Sequence, residues 1–267
     1  MNETDALGRT LALAAPPRRV VSLVPSWSEL LFALGAERAL VGVTEFCVHP
    51  AEGVASVPKI GGTKNPDLRA IEALRPELVI ANKEENRRRD VERLEAAGIP
   101  VFVTYARTVP EAVAELRALG RIVDRADAAE RLAAEVESTL AARAAQSAGA
   151  PPRVAALVWR EPWMVVGGDT FANDLLERAG GRNPFAAHTG GRYPRIERSE
   201  LEAAAPDVIL LPSEPYRFEE RDRLELLALD CPAARAGRVH LLEGELLSWY
   251  GPRMPRALRT IAALLAS

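Results

Sequence analysis

The chain has 267 residues, 48% hydrophobic and 27% charged, which is enough apolar material for two ordinary α/β lobes or one large domain and too much for a disordered chain. A net charge of −3 and a pI near 5.8 leave no clustered basic footprint, so neither nucleic acid nor an anionic membrane is an expected partner. The two cysteines, Cys47 and Cys231, fit neither a CxxC zinc pair nor a disulfide framework.

The opening residues, MNETDALGRTLALAAPPRR, place acids before a short apolar stretch at 11–15 that falls short of a secretory h-region. The chain as written therefore reads as cytoplasmic, and as periplasmic or cell-surface if a leader has been removed. No apolar run approaches the ~20 residues needed to span a bilayer. Strands are expected at 19–24, 39–44, 78–81 and 101–104, alternating with helices at 28–34, 68–74, 91–97 and 109–123, the βα repetition of a largely parallel sheet. Residues 124–148 are rich in strong helix formers with no Gly or Pro inside, which predicts one helix of roughly 24 residues, ~36 Å long. Gly149-Ala-Pro-Pro152 stops it. The pattern then restarts with strands at 153–158, 208–211 and 239–242 and helices at 171–179, 200–204 and 256–265. The expected organisation is an N-terminal lobe over 1–123, a connecting helix over 124–149 and a C-terminal lobe over 150–267.

The halves echo each other. IEALRPELVIANKEE from Ile71 parallels LEAAAPDVILLPSEP from Leu201, and SELLFALG from Ser28 parallels NDLLERAG from Asn173. Two similar lobes follow, and a cleft between lobes is a favoured place for a ligand.

In parallel α/β sheets ligands bind beyond the carboxyl ends of the strands, so the residues after each strand are the candidates. After the first strand, Ser26 and Glu29 fit an S-x-x-E capping box, exposed amides there could serve a ligand, and Trp27 belongs equally to core or cleft. Glu45, Cys47 and His49 share a face if extended and would suit a soft divalent metal, but no further ligand follows at a suitable spacing, and no metal ligand is assigned. Phe46 of that segment joins the ligand set. The stretch at 61–66 lacks P-loop and GxGxxG order and reads as a tight turn that brings Lys64 to the rim. Asn82, Lys83 and Glu84 follow a strand directly, and Tyr105 ends the next strand with a phenol beside the guanidinium of Arg107. In the second half Trp159, Trp163, Tyr216, Trp249 and Tyr250 stand at strand ends or before the last helix. With aromatics only 5% of the chain, this concentration suits a flat or bulky apolar ligand. No nucleophile elbow or Ser, His and Asp constellation is visible, so no catalytic residue is assigned.

PRRVVSLVPSWSELLFALGA, VPKIGGTKNPDLRAIEALRPELVIA, FANDLLERAGGRNPF and LEAAAPDVILLPSEPY together resemble the helical-backbone metal receptor family, the cobalamin, siderophore and heme receptors of ABC importers. The resemblance runs from about Leu7 to the C-terminus and is closest to the cobalamin branch. It implies an α/β fold of two Rossmann-like lobes with mainly parallel sheets joined by one long backbone helix. It also implies non-catalytic binding of a metal-centred ligand between the lobes, cobalamin or another corrinoid first, a ferric siderophore or heme next. No permanently bound cofactor and a monomeric state are expected. Of the tryptophans that the cobalamin branch presents to the corrin, Trp249 is matched, while Gly61 and Asn82 stand where aromatics are expected, with Trp27 to compensate. An importer permease is the implied partner, yet Arg69 and Gly251 stand where docking carboxylates are expected, with Asp67 and Glu72 as nearby substitutes. A bare-metal receptor using Glu45, Cys47 and His49, and an enzyme using Glu84 or Glu161, are the alternatives.

Overall fold

The computed structural model describes residues 2–146 and 149–267. Its elements in chain order are β1 Asn2–Thr4, β2 Thr10–Ala12, β3 Val20–Ser22, α1 Pro25–Ala33, β4 Leu40–Val43, α2 Ala51–Ala55, α3 Leu68–Ala73, β5 Leu78–Asn82, α4 Arg88–Ala96, β6 Val101–Thr104, α5 Val109–Ile122 and α6 Ala126–Gln146. There follow β7 Val154–Trp159, β8 Met164–Val165, α7 Phe171–Arg178, α8 Arg198–Ala203, β9 Val208–Pro212, α9 Glu220–Leu226, α10 Pro232–Arg235, β10 Val239–Leu242, α11 Glu245–Ser248 and α12 Met254–Ala266. They form two compact units. One comprises Met1–Ala106, Pro110–Ala134 and Tyr250–Pro252, the other Arg107–Val109, Glu135–Trp249 and Arg253–Ser267.

In the first unit β4-β3-β5-β6 form a four-stranded sheet with every pairing parallel. Its strands are buried along their whole length, apart from half-buried Val41. This is why they read as continuous apolar runs rather than alternating ones, since helices cover both faces of such a sheet. Val21, Val79, Val101 and Val103 pack with Ile71 and Leu94 in one core. The free edge of β6 is covered by the β1–β2 hairpin: Ala6 N donates to Val103 O at 2.9 Å, and Val103 N donates to Asp5 Oδ2 at 3.4 Å. Covering an edge in this way removes a template for aggregation. Three-residue strands with polar outer faces carry too little periodicity to be expected from sequence, and this hairpin was not.

In the second unit the order is β10-β9-β7-β8, with β8 antiparallel at the edge. The repeat seen in sequence is a repeat of structure. Arg75 and Ala205, at the same place in the two copies, both sit at φ 45 before a proline, a costly left-handed conformation for residues with a Cβ. The backbone after each is bonded alike: Glu77 N and Leu78 N donate to Arg19 O, and Asp207 N and Val208 N donate to Arg153 O. Gly35 and Gly180 end the paired helices α1 and α7 at φ 70 and 102, the left-handed stop that glycine adopts without strain.

The long helix exists, with ends that differ from the expectation. Asp124 at φ 56 closes α5, so α6 begins at Ala126 and runs 21 residues; the expected end at 147–148 lies outside the described residues. Ala129, Ala133, Val136 and Thr139 form its buried stripe, at the spacing of one helical face. The boundary between the units falls within it, between Ala134 and Glu135. A second correction concerns α1. It starts at Pro25 with Val24 as N-cap and no side-chain cap, so Ser26 and Glu29 are inside the helix and form no capping box. Among the described residues no helix is long and apolar enough to cross a membrane.

Candidate ligand-binding faces

In the first unit, loops from β3, β4, β5 and β6 emerge at the carboxyl edge of the sheet, and asparagines and a threonine knit them together. Thr104 Oγ1 donates to Ala81 O at 3.0 Å and accepts from Trp27 Nε1 at 2.9 Å and Asn82 Nδ2 at 3.1 Å. Asn82 Oδ1 accepts from Glu84 N at 2.8 Å, and Asn86 Nδ2 donates to Thr63 O at 2.9 Å. Trp27 has no exposed surface and stacks on Tyr250, the centroids 5.3 Å apart and the planes at 19°. Trp27 and Tyr250, expected at the ligand, are core side chains of this unit; Ser26 and Asn82 are buried as well. Trp27 thus offers no exposed ring beside the glycine at 61. Nor could that glycine carry a ring, because a Cβ there would lie 2.9 Å from Asn65 O at φ 85.

What this edge exposes is different. Phe46 is 59% and Val48 47% exposed, in the loop that follows β4. Lys64 and Lys83 are exposed, Lys64 bonded to Glu84 O and Lys83 standing 4.4 Å from the centre of the Tyr105 ring. Tyr105 N donates to Glu115 Oε1 at 2.5 Å. Burial pushes the Glu115 carboxyl up to about 8 against the pull of the Tyr105 and Ala106 amides, and Glu111 adds to the rise. Cys47 is buried against Ser28 Oγ at 3.1 Å and Thr44 Oγ1 at 3.2 Å, and burial pushes its thiol up. Glu45, Cys47 and His49 do not converge: among the described residues no group of three His, Cys, Asp or Glu could hold a metal ion.

In the second unit Trp159, at the end of β7, is 42% exposed, and Tyr193 is 39% exposed. Trp159 meets Tyr216 edge-on at 5.7 Å; Tyr216 meets Phe218 at 4.8 Å, and Trp163 lies parallel to Phe218 at 6.3 Å. One arginine holds this aromatic row to α9. Arg160 forks between Asp222, which is fully buried, and Glu225 Oε2 at 2.7 Å, with its guanidinium 5.6 Å from the Trp163 ring. Charge-assisted forks of this kind fix geometry as well as adding energy. Trp249, expected to stack on ligand, is only 7% exposed. Strand-end position singled out Trp159, Trp163, Tyr216 and Trp249 but not Phe218, and nothing local to the sequence sorts the exposed from the buried.

A groove of about 310 Å³ runs beside the β1–β2 hairpin, lined by Arg9, Glu95 and the residues that lead into β6. It lies at the amino end of β6, and its charges are spent, Arg9 on Asp5 at 2.6 Å and on Glu95.

The family described as periplasmic binding protein matches residues 20–244. A vitamin B12-binding protein of Photorhabdus laumondii is 28% identical over 201 residues, 75% of this chain and 72% of that one. A cobalamin-binding protein of Halobacterium salinarum is 32% identical over 216 residues, 79% of this chain and 58% of the relative. Among solved structures, the periplasmic heme-binding protein RhuT from Roseiflexus superposes with a TM-score of 0.79 at 27% identity, covering 93% and 97% of the two chains. The periplasmic vitamin B12-binding protein of Vibrio cholerae superposes at 0.80 with 20% identity over 94% and 97%, a likeness of fold.

Proposed function

We propose that this chain, which belongs to the periplasmic binding protein family, binds a flat metal chelate at the carboxyl edges of its sheets, a corrinoid in the first place, and performs no chemistry on it. The observation that carries this is the exposure of Phe46 and Trp159 there, large rings that a fold otherwise buries and that supply contact area to a macrocycle. The corrinoid is favoured by the curated relatives, named for vitamin B12 or cobalamin. Heme is the second reading, favoured by the 27% identical solved relative named for heme.

The test is incubation with cobalamin, cobinamide, heme and ferric siderophores, followed by desalting and a visible spectrum. Retention of a corrinoid is the expected outcome. Retention of heme alone selects the second reading, and colourless protein with all four rejects both.

The partner proposed is an importer permease. Arg69 is exposed on α3, and Asp67 is spent as the α3 N-cap, accepting from Ala70 N at 3.0 Å. Arginine facing arginine is repulsive, so Arg69→Glu is expected to strengthen recovery of a cobalamin-type permease from detergent extracts. Tight recovery by the unchanged protein overturns that.

A further inference from the structure

We propose that Glu214 is the positioning residue for Trp249, and that gain or loss of a proton on Glu214 switches the carboxyl edge of the second sheet between a holding and a releasing state. The proposal rests on the reading of that edge as a ligand face. Glu214 stands two residues beyond β9, and the segment it meets, 244–249, follows β10. Ser213 Oγ accepts from Gly244 N at 2.9 Å, and the Glu214 side chain lies directly over Gly244, where a Cβ would come within 2.2 Å of Glu214 Cγ. Only glycine lets the carboxylate reach inward. Once there, it accepts from Ser248 Oγ at 2.6 Å and from the indole of Trp249. The guanidinium of Arg253 lies 5.2 Å from the Trp249 ring centre. The indole is thus held at its N–H by Glu214 and on its face by Arg253, with 7% of the residue left exposed.

For packing alone, an amide would serve in place of the carboxylate. A half-buried carboxylate is a costlier choice than an amide, and it makes the contact titratable. Burial pushes the Glu214 carboxyl up; Ser248 opposes this, Glu245 adds to it, and Trp249 and Arg253 oppose it. Charged, the carboxylate accepts from both donors. Protonated, it loses acceptor strength toward both, and the indole is freed to turn.

The ligand-free experiment is intrinsic fluorescence of the whole chain from pH 4 to 9. The wild type is expected to show a sigmoidal change with its midpoint above the ordinary carboxylate range of about 4.3. The change is expected to vanish in both Glu214→Gln and Trp249→Phe and to survive in Glu115→Gln, which removes the other raised carboxyl. Corrinoid affinity should fall through the same pH range by roughly two- to tenfold, the worth of one hydrogen bond, and should be flat in Glu214→Gln at the acid-limb value. Superimposable pH profiles for wild type and Glu214→Gln overturn the proposal. A fluorescence transition in a protein that binds no chelate leaves Glu214 coupled to Trp249 and removes only the ligand reading. A thermal melt of Glu214→Gln within a few degrees of wild type establishes that the variant is folded.

Discussion

Arg160→Met is the substitution that most directly tests how the aromatic row of the second unit is held. The guanidinium bonds Asp222, which has no exposed side-chain surface, and Glu225, which is 36% exposed. Met keeps the apolar stem and removes the charge, leaving Asp222 buried with its remaining bond from Glu219 N at 2.8 Å. Removing one partner of a buried ion pair costs about 3 to 5 kcal/mol. The exposed Glu225 contact adds little, as surface pairs are worth under about 1 kcal/mol. With Glu219 N still in place, the expectation is about 3 kcal/mol, a large part of the 5–15 kcal/mol that is roughly typical for folded proteins. Urea unfolding followed by circular dichroism measures it, and with two compact units the transition that moves is the one belonging to the second. Asp222→Asn in the Met background removes the stranded charge and is expected to recover most of the loss. A cost below about 1 kcal/mol, or no recovery with Asn, refutes the claim that the pair fastens this region.

Phe46→Ala is expected to leave stability within ~0.5 kcal/mol, because the ring is exposed, and to weaken chelate binding by about 1–2 kcal/mol; an unchanged dissociation constant by titration removes Phe46 from the site. Trp27→Phe breaks the bond to Thr104 and leaves a small void, at a cost of about 2 kcal/mol in unfolding free energy, with chelate affinity unaltered; the opposite pattern returns the ring to the ligand. Glu115 rises from 4.5 to about 8 on folding, so between those values the folded state holds the extra proton and stability falls as pH increases. Glu115→Gln should therefore gain on wild type from pH 5 to pH 8, by on the order of 3 to 4 kcal/mol at the upper end; a difference that is constant over that window contradicts the argument.

The sequence by itself determined the alternation of strands and helices, the internal repeat and the long helix, because each rests on local chemistry. Continuous β-branched runs buried on both faces, a proline after a left-handed residue and a Gly stop after a helix leave the same marks in both halves, at 75–76 and 205–206 and at 35 and 180. The resemblance of its motifs to the metal-chelate receptors agreed with the family that matches. Only the tertiary structure decided which aromatics face solvent. Trp27 and Phe46 both follow a strand of the first sheet, and Trp249 and Trp159 both lie near strand ends of the second, so sequence position treats them alike. One ring finds Thr104 and Tyr250 to close over it, another finds Glu214 and Arg253, and Phe46 and Trp159 keep 59% and 42% of their surface open. Arg253 is four positions from its ring, but Glu214, Thr104 and Tyr250 are 35, 77 and 223 positions from theirs, and exposure is set by which distant groups the fold brings against a ring, a quantity that no local pattern of residues contains.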